Sequence, residues 1–427
     1  MTTEVLGTTA TTAAPSRHKV IVAATIGNVL EWFDFLVYGF FAVTIAEVFF
    51  PAGNPTVSLL VTFGAFGLSY VVRPLGAIIV GNYTDRHGRK AGLTLSIAMM
   101  MIGTVMMLVT PGYATIGLAA PILITVARLL QGFSVGGEFG SAVAFLTEHG
   151  GDRKGYSASW QWASTGIISV IVALFGVALT TLLTHEQLVD WGWRVPYVFG
   201  LLVGPAGLYI RSQMSETPEF LEAETPATIP IGDLLRRHPV PVVLALGMSI
   251  ISNSSYYLLL YIPTYGVKTL HLAASTGFVA TLVGGVILAV GSPLAGHWAD
   301  KASGSRIMLW TGWLFLLAAY PSFWLMVAYP SLATAMFAVG FLNLIKAGYS
   351  GVLPSQLARQ FPVETRAVGV AFSYSLSVTV FGGFAPFVAT WLIAATGDPL
   401  SPSFYLMATA LLSVVALVFV QRRERHD

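Results

Sequence analysis

The sequence predicts an all-α membrane protein of twelve transmembrane helices arranged as two six-helix halves. Three observations carry that expectation. Apolar residues make up 55% of the 427-residue chain and charged residues only 10%, against about 25% charged in a soluble domain, so a water-facing surface cannot be built. Twelve apolar runs each approach the roughly 20 residues that cross a bilayer. A charged turn between two such runs, Gly81-Asn-Tyr-Thr-Asp-Arg-His-Gly-Arg-Lys90, recurs in weaker form about half a chain length later as Gly296-His-Trp-Ala-Asp-Lys-Ala-Ser-Gly-Ser-Arg306, which points to two related halves.

At the junction of the Thr- and Ala-rich tail, 1–18, with the first half, Arg17-His18-Lys19 mimics the start of a signal peptide. The run after it is too long, carries Glu31 and Asp34, and lacks a small-residue cleavage site, so it reads as an uncleaved first span. The runs fall at about 20–49, 56–81, 90–110, 116–147, 155–183 and 194–211, the first half being 19–211. Gly81 and Gly88 read as glycines that a tight turn requires. Gly132, Gly136, Gly137 and Gly140 give the fourth span a small-residue packing face.

The longest hydrophilic interruption, 212–239, separates the halves. Its Ile231-Gly-Asp-Leu-Leu-Arg-Arg-His238 reads either as an interfacial amphipathic helix or as a solvated linker. The second half, 240–420, has runs at 240–265, 275–299, 306–328, 332–357, 366–395 and 402–420, followed by a tail at 421–427. Gly382-Gly383 and Pro386 predict a kink or break in the eleventh. Seventeen of the 22 Lys and Arg residues fall in alternate loops and the tails, which places both termini in the cytoplasm. The chain has no cysteine, which excludes disulfides, thiolate metal sites and thiol nucleophiles.

Ionisable groups inside spans are expensive and face the bundle interior. Six stand out: Glu31 and Asp34 in span 1, Arg73 in span 2, Arg128 and Glu138 in span 4, and Lys346 in span 10. Three of each sign leave the interior formally neutral, so an entering anion brings uncompensated charge that protonation of a carboxylate offsets. Helical spacing sets Asn28, Glu31, Phe35 and Tyr38 on one stripe with Asp34 beside it, and Arg128, Gln131 and Glu138 on another. Gln161 in span 5 and Tyr256 in span 7 add polar groups. Arg73, Glu31 and Asp34 read equally as a structural ion-pair network; Arg128 and Lys346 read as substrate contacts, and Glu138 as a gating group ahead of a proton carrier.

The two charged turns resemble those of the major facilitator superfamily. Arg128-Leu-Leu-Gln-Gly-Phe-Ser-Val-Gly-Gly-Glu138, Gly27-Asn-Val-Leu-Glu-Trp-Phe-Asp34 and Arg73-Pro-Leu-Gly76 resemble its metabolite:proton symporters. Tyr261-Ile-Pro-Thr-Tyr-Gly266, Ser159-Trp-Gln161, Trp191-Gly-Trp-Arg-Val-Pro196 and Arg366-Ala-Val-Gly369 are similar to the citrate–proton symporter branch. The resemblance implies a multi-pass protein of a bacterial inner membrane, acting as a monomer and needing no cofactor beyond the coupling proton. It implies an organic-anion substrate and no nucleic-acid partner. Arg128, Lys346, Gln131, Gln161, Asn28 and Tyr256 would bind substrate, and Asp34, Glu31, Arg73 and Glu138 would couple protons. Gly81, Asp85, Arg86, Gly88, Arg89 and Asp300 would gate, with Asp85 latching the start of span 11.

Two departures qualify this. The second turn lacks the family's Asp-Arg-x-Gly-Arg spacing, and Lys346 stands where the citrate branch leads one to expect an uncharged residue. Relatives in the family also carry zwitterionic osmolytes, so import of a betaine or proline is the rival within transport. A membrane-embedded enzyme would need a His-Glu metal motif or an activated serine, and the sequence presents neither.

Overall fold

The computed structural model describes residues 17–87, 89–135, 138–148, 150–202 and 231–425. Span 1 runs as Arg17–Phe40 and resumes as Ala42–Phe49, with a bend of 69° between the pieces. Span 2 begins at Pro55, its first turn capped by the Asn54 side chain accepting from Thr56 N, and continues past Val72 as Arg73–His87. Span 3 is Arg89–Val109. Span 4 is Ala119–Ser134 followed by Glu138–Glu148, and span 5 is Lys154–Leu182. A short helix, His185–Asp190, is held by a Thr184–Gln187 capping box, and span 6 starts as a helix over 195–202.

The segment read either as an interfacial helix or as a solvated linker holds a short helix, Ile231–Arg237, with Asp233 in its first turn and Arg236 and Arg237 in its last, matching the helix dipole. Spans 7 to 9 are Pro239–Leu260 with Ile262–Lys268, Ala274–Ala299, and Gly304–Ala328. Span 10 is Leu332–Ser350 with Leu353–Arg359. Span 11 is Val363–Ser377, a π-helical turn over Val378–Gly382, and Ala385–Thr396, so the break expected at Gly382, Gly383 and Pro386 is there. Span 12 is Ser401–Glu424. Among the described residues, eight helices are long and apolar enough to cross a membrane, and nine if the bent first pair counts as one. Spans 3 and 4 contribute shorter apolar helices.

The halves meet along small residues. Span 5 lies on span 8 with Gly155 against the Gly296 carbonyl, Gly166 against Gly285 and Ala289, and Gly176 under the Phe278 ring. Span 2 meets span 11 where Gly67 faces Phe384, Gly383 faces Tyr70, and Thr379 Oγ1 donates to the Tyr70 carbonyl at 3.0 Å. In span 4, Gly132 packs on the backbone of Ser69, and Gly140 packs on Ala367 and Ala371 of span 11. Of the glycine face expected in span 4, Gly132 and Gly140 make close approaches; Gly136 and Gly137 lie outside the described residues.

One expectation needs correcting. Gly81 lies inside the helix Arg73–His87, so it does not supply a tight turn. Extending the helix keeps its backbone hydrogen bonds made, and the connection shrinks to the neighbourhood of residue 88, which lies outside the described residues. Gly296 is likewise helical and serves contact with span 5.

Candidate functional site

Between the halves lies a buried polar centre, and its first-half portion is a continuous hydrogen-bonded chain. Arg128, with no exposed surface, donates from Nη1 to Gln131 Oε1 at 2.8 Å. Gln131 Nε2 donates to Thr104 Oγ1 at 3.1 Å, and the Thr104 hydroxyl donates to Asp34 Oδ2. Asp34 is 5% exposed. Its Oδ1 packs against Gly200 of span 6, where a side chain would collide with it. Among the described residues no ion pair joins Asp34 to Arg128, Arg73 or Lys346.

The three interior cations rest instead on aromatic faces. Arg128 lies over Phe35 at 4.4 Å, Tyr38 at 4.6 Å and Phe66 at 5.3 Å. Arg73 lies over Trp32 at 4.5 Å and Tyr70 at 5.0 Å. Lys346, 2% exposed, lies over Tyr256 at 4.4 Å and Trp162 at 5.1 Å. Such contacts are worth about 2 kcal/mol each when desolvated, against an effective burial penalty of several kcal/mol per ion. The rings therefore offset only part of the cost. Lys346 Nζ and Arg128 Nε and Nη2 have no hydrogen-bond partner among the described residues. The same centre also holds an unmatched acceptor, Asp34 Oδ1.

The neutral groups named from the sequence divide. Asn28 and Gln161 hold each other, Gln161 Nε2 donating to Asn28 Oδ1 at 3.0 Å and Asn28 Nδ2 to Ser164 Oγ at 2.6 Å; they tie span 1 to span 5. Gln131 has its amide committed to Arg128 and Thr104. Tyr256 edges Trp162 and Tyr257 and stands 3.5 Å from Ser169 Oγ. In the second half Ser252 and Ser350 pair at 2.8 Å, and Asn253 donates to Ser377 at 3.2 Å.

Both ends of the centre are closed. On the face bearing Arg153, Lys154, Lys301 and Arg359 (the basic face), Phe139 stacks on Tyr374 and Arg366 of span 11 pairs with Glu148 at 3.2 Å. Asp300 accepts from the backbone N–H groups of Gly155 at 2.6 Å and Tyr156 at 3.0 Å, capping the start of span 5. The weak second turn thus does bridge the halves. The opposite face is shut by apolar contact: Gly39 on Leu260, Phe41 with Phe278 at 5.4 Å, and Phe63 with Tyr261 at 5.5 Å.

The side chains of Glu31, Asp85, Arg86, Arg89 and Glu138, and the whole of Gly88, lie outside the described residues. Sequence reasoning missed Thr104, Trp162 and Glu148. Thr104 is a lone hydroxyl in an apolar run and carries no pattern; Trp162 adjoins the quoted Ser159-Trp-Gln161, one residue beyond it.

Against known proteins, the family model described as Major Facilitator Superfamily matches residues 24–345. The chain belongs to the major facilitator superfamily. The superfamily relatives include a citrate–proton symporter of Klebsiella pneumoniae, 35% identical over 415 residues that cover 96% of this chain and 94% of its own. A proline/betaine transporter of Salmonella typhimurium is 33% identical over 418 residues, covering 93% and 82%. A crystal structure of a D-xylose–proton symporter matches this major facilitator fold with a TM-score of 0.73 at 16% identity, covering 94% of this chain and 96% of that one.

Proposed function

We propose that this protein imports a small di- or tricarboxylate, citrate or a close relative, together with protons, by alternating access between its halves. The observation that carries the reading is the unmatched donor set, Lys346 Nζ with Arg128 Nε and Nη2, buried on opposite halves of one centre. Carboxylates answer it with charge-assisted hydrogen bonds. The basic face is cytoplasmic in this reading. Asp34 is the preferred proton carrier, with Glu31 beside it on span 1. Tyr256 flanks the substrate, Gln131 orients Arg128, and Asn28 and Gln161 hold span 1 to span 5. Arg73 and Glu138 are assigned to proton coupling in the same reading. Asp85, Arg86, Gly88 and Arg89 gate the basic face together with Asp300.

Coupling follows from electrostatics. One elementary charge moving through about 100 mV is worth about 2.3 kcal/mol. A dianion entering a negative-inside cell therefore opposes roughly 4–5 kcal/mol. Two protons cancel that, and a third makes entry downhill.

The similarity to a proline/betaine transporter favours a second reading, import of a zwitterion with Lys346 structural. The test is thermal stabilisation of the purified protein by a panel of carboxylates, betaine and proline, followed by uptake into proteoliposomes under a pH gradient. Di- and tricarboxylates should stabilise and accumulate, and Asp34→Asn should exchange substrate without accumulating it. Stabilisation by betaine or proline alone would transfer the assignment to the zwitterion.

A further inference from the structure

The buried chain from Arg128 to Asp34 can be audited donor by donor. Gln131 is oriented by its partners: with Oε1 accepting from Arg128, Nε2 is left to donate to Thr104. Turning the amide over would set N–H groups against a guanidinium that can only donate. One lone pair of Thr104 is thereby taken. Its single hydroxyl proton has two acceptors in reach, Asp34 Oδ2 and the Met100 carbonyl one helical turn back at 3.1 Å.

We propose that Thr104 is the positioning residue of the proton site, a hydroxyl that changes partner as Asp34 gains and loses its proton. The proposal rests on the reading of Asp34 as proton carrier. With Asp34 ionised, the hydroxyl donates to Oδ2. When a proton arrives on Oδ2, the new O–H donates to the second lone pair of Thr104, and the hydroxyl turns to the Met100 carbonyl. No covalent bond other than the Asp34 O–H is made, and the carboxyl keeps its partner in both states. That matters where water is excluded, because a buried polar group left unsatisfied strongly disfavours the state that leaves it so. Gln131 holds the remaining lone pair, so the substrate cation Arg128 fixes the frame in which the swap occurs. The ionisable groups facing Asp34 from other elements are Arg128 of span 4 and Tyr197 of span 6. Glu31 lies three residues earlier on its own span.

Infrared difference spectra of the full-length protein in lipid, taken between alkaline and acid pH, test this without any substrate. The protonated carboxyl band lost in Asp34→Asn identifies the residue. In Thr104→Val that band should move to higher wavenumber, because its O–H loses its acceptor. Its titration should move alkaline by about one pH unit, since the ionised form loses a charge-assisted bond and the neutral form a weaker one. Thr104→Ser should restore both. A Thr104→Val spectrum that overlays the parent overturns the proposal, as does Thr104→Ser shifting as far as Thr104→Val, or no Asp34-dependent band at all. Uptake that ignores a pH gradient would refute proton coupling while leaving the spectroscopic result standing.

Discussion

Arg128 and Lys346 are both basic residues of the same buried centre, yet they are held in different ways. Arg128 has three aromatic faces and one hydrogen bond that leads through Gln131 and Thr104 to Asp34. Lys346 has two aromatic faces and no hydrogen bond among the described residues. Aromatic faces position a cation without saturating it, because the ring offers no lone pair to the remaining N–H groups. The first half thus ties its cation by hydrogen bonds to Asp34, the proton carrier of the proposed reading, whereas the cation of the second half is left without a hydrogen bond among the described residues. In the proposed reading Arg128 serves both coupling and substrate charge, whereas Lys346 serves substrate charge alone.

The largest effect expected is from Arg128→Gln. It removes two free donors and the anchor of Gln131, so carboxylate affinity should fall by about 100-fold or more, and the pH dependence of uptake should be distorted with it. Titration of binding at several pH values checks both. Lys346→Gln should lower di- and tricarboxylate affinity by about 10- to 100-fold, as expected for one charge-assisted contact. A monocarboxylate analogue should lose less, and the pH profile should keep its shape. If Lys346→Gln moves the pH profile as far as Arg128→Gln does, the division between the halves is wrong.

The smallest effect concerns the gate. Glu148 and Arg366 are partly exposed, and such pairs are worth about 0.2–1 kcal/mol. Arg366→Glu should therefore shift the balance of states by only about 1.4- to fivefold. The double reversal Glu148→Arg with Arg366→Glu should shift it back. Labelling of a single cysteine introduced on the basic face of this cysteine-free chain reads the balance directly.

The spans were legible because a bilayer demands long apolar runs and tolerates nothing else. The break in span 11 was legible in Gly382, Gly383 and Pro386. Other breaks carried a signal that the sequence reading did not use. After Val72, Tyr261 and Val352 the new helical segments open with Pro74, Pro263 and Pro354 in the first turn, where a missing N–H costs nothing. Arg128, Asp34 and Lys346 stood out because charge inside a span is rare. Their partners did not, since Thr104, Trp162 and Phe66 are ordinary residues of apolar helices. Only packing brings them within reach of a cation or carboxylate. Gly81 shows the converse error: a glycine beside charges looks like a turn until the helix is seen to run through it.

The glycine line between spans 5 and 8 bears on speed. Gly155, Gly166 and Gly176 let the two helices touch along their lengths, so opening either face peels apart one end of the line while the other stays shut. Contacts of this kind are held mainly by dispersion, each worth only a fraction of a kcal/mol per atom pair. They yield gradually, apart from the Asp300 hydrogen bonds at the Gly155 end. A carrier built on such a seam can rock with little friction, and a methyl group at Gly166 would act as a wedge under the rocker, slowing the stroke while leaving the cargo's seat untouched.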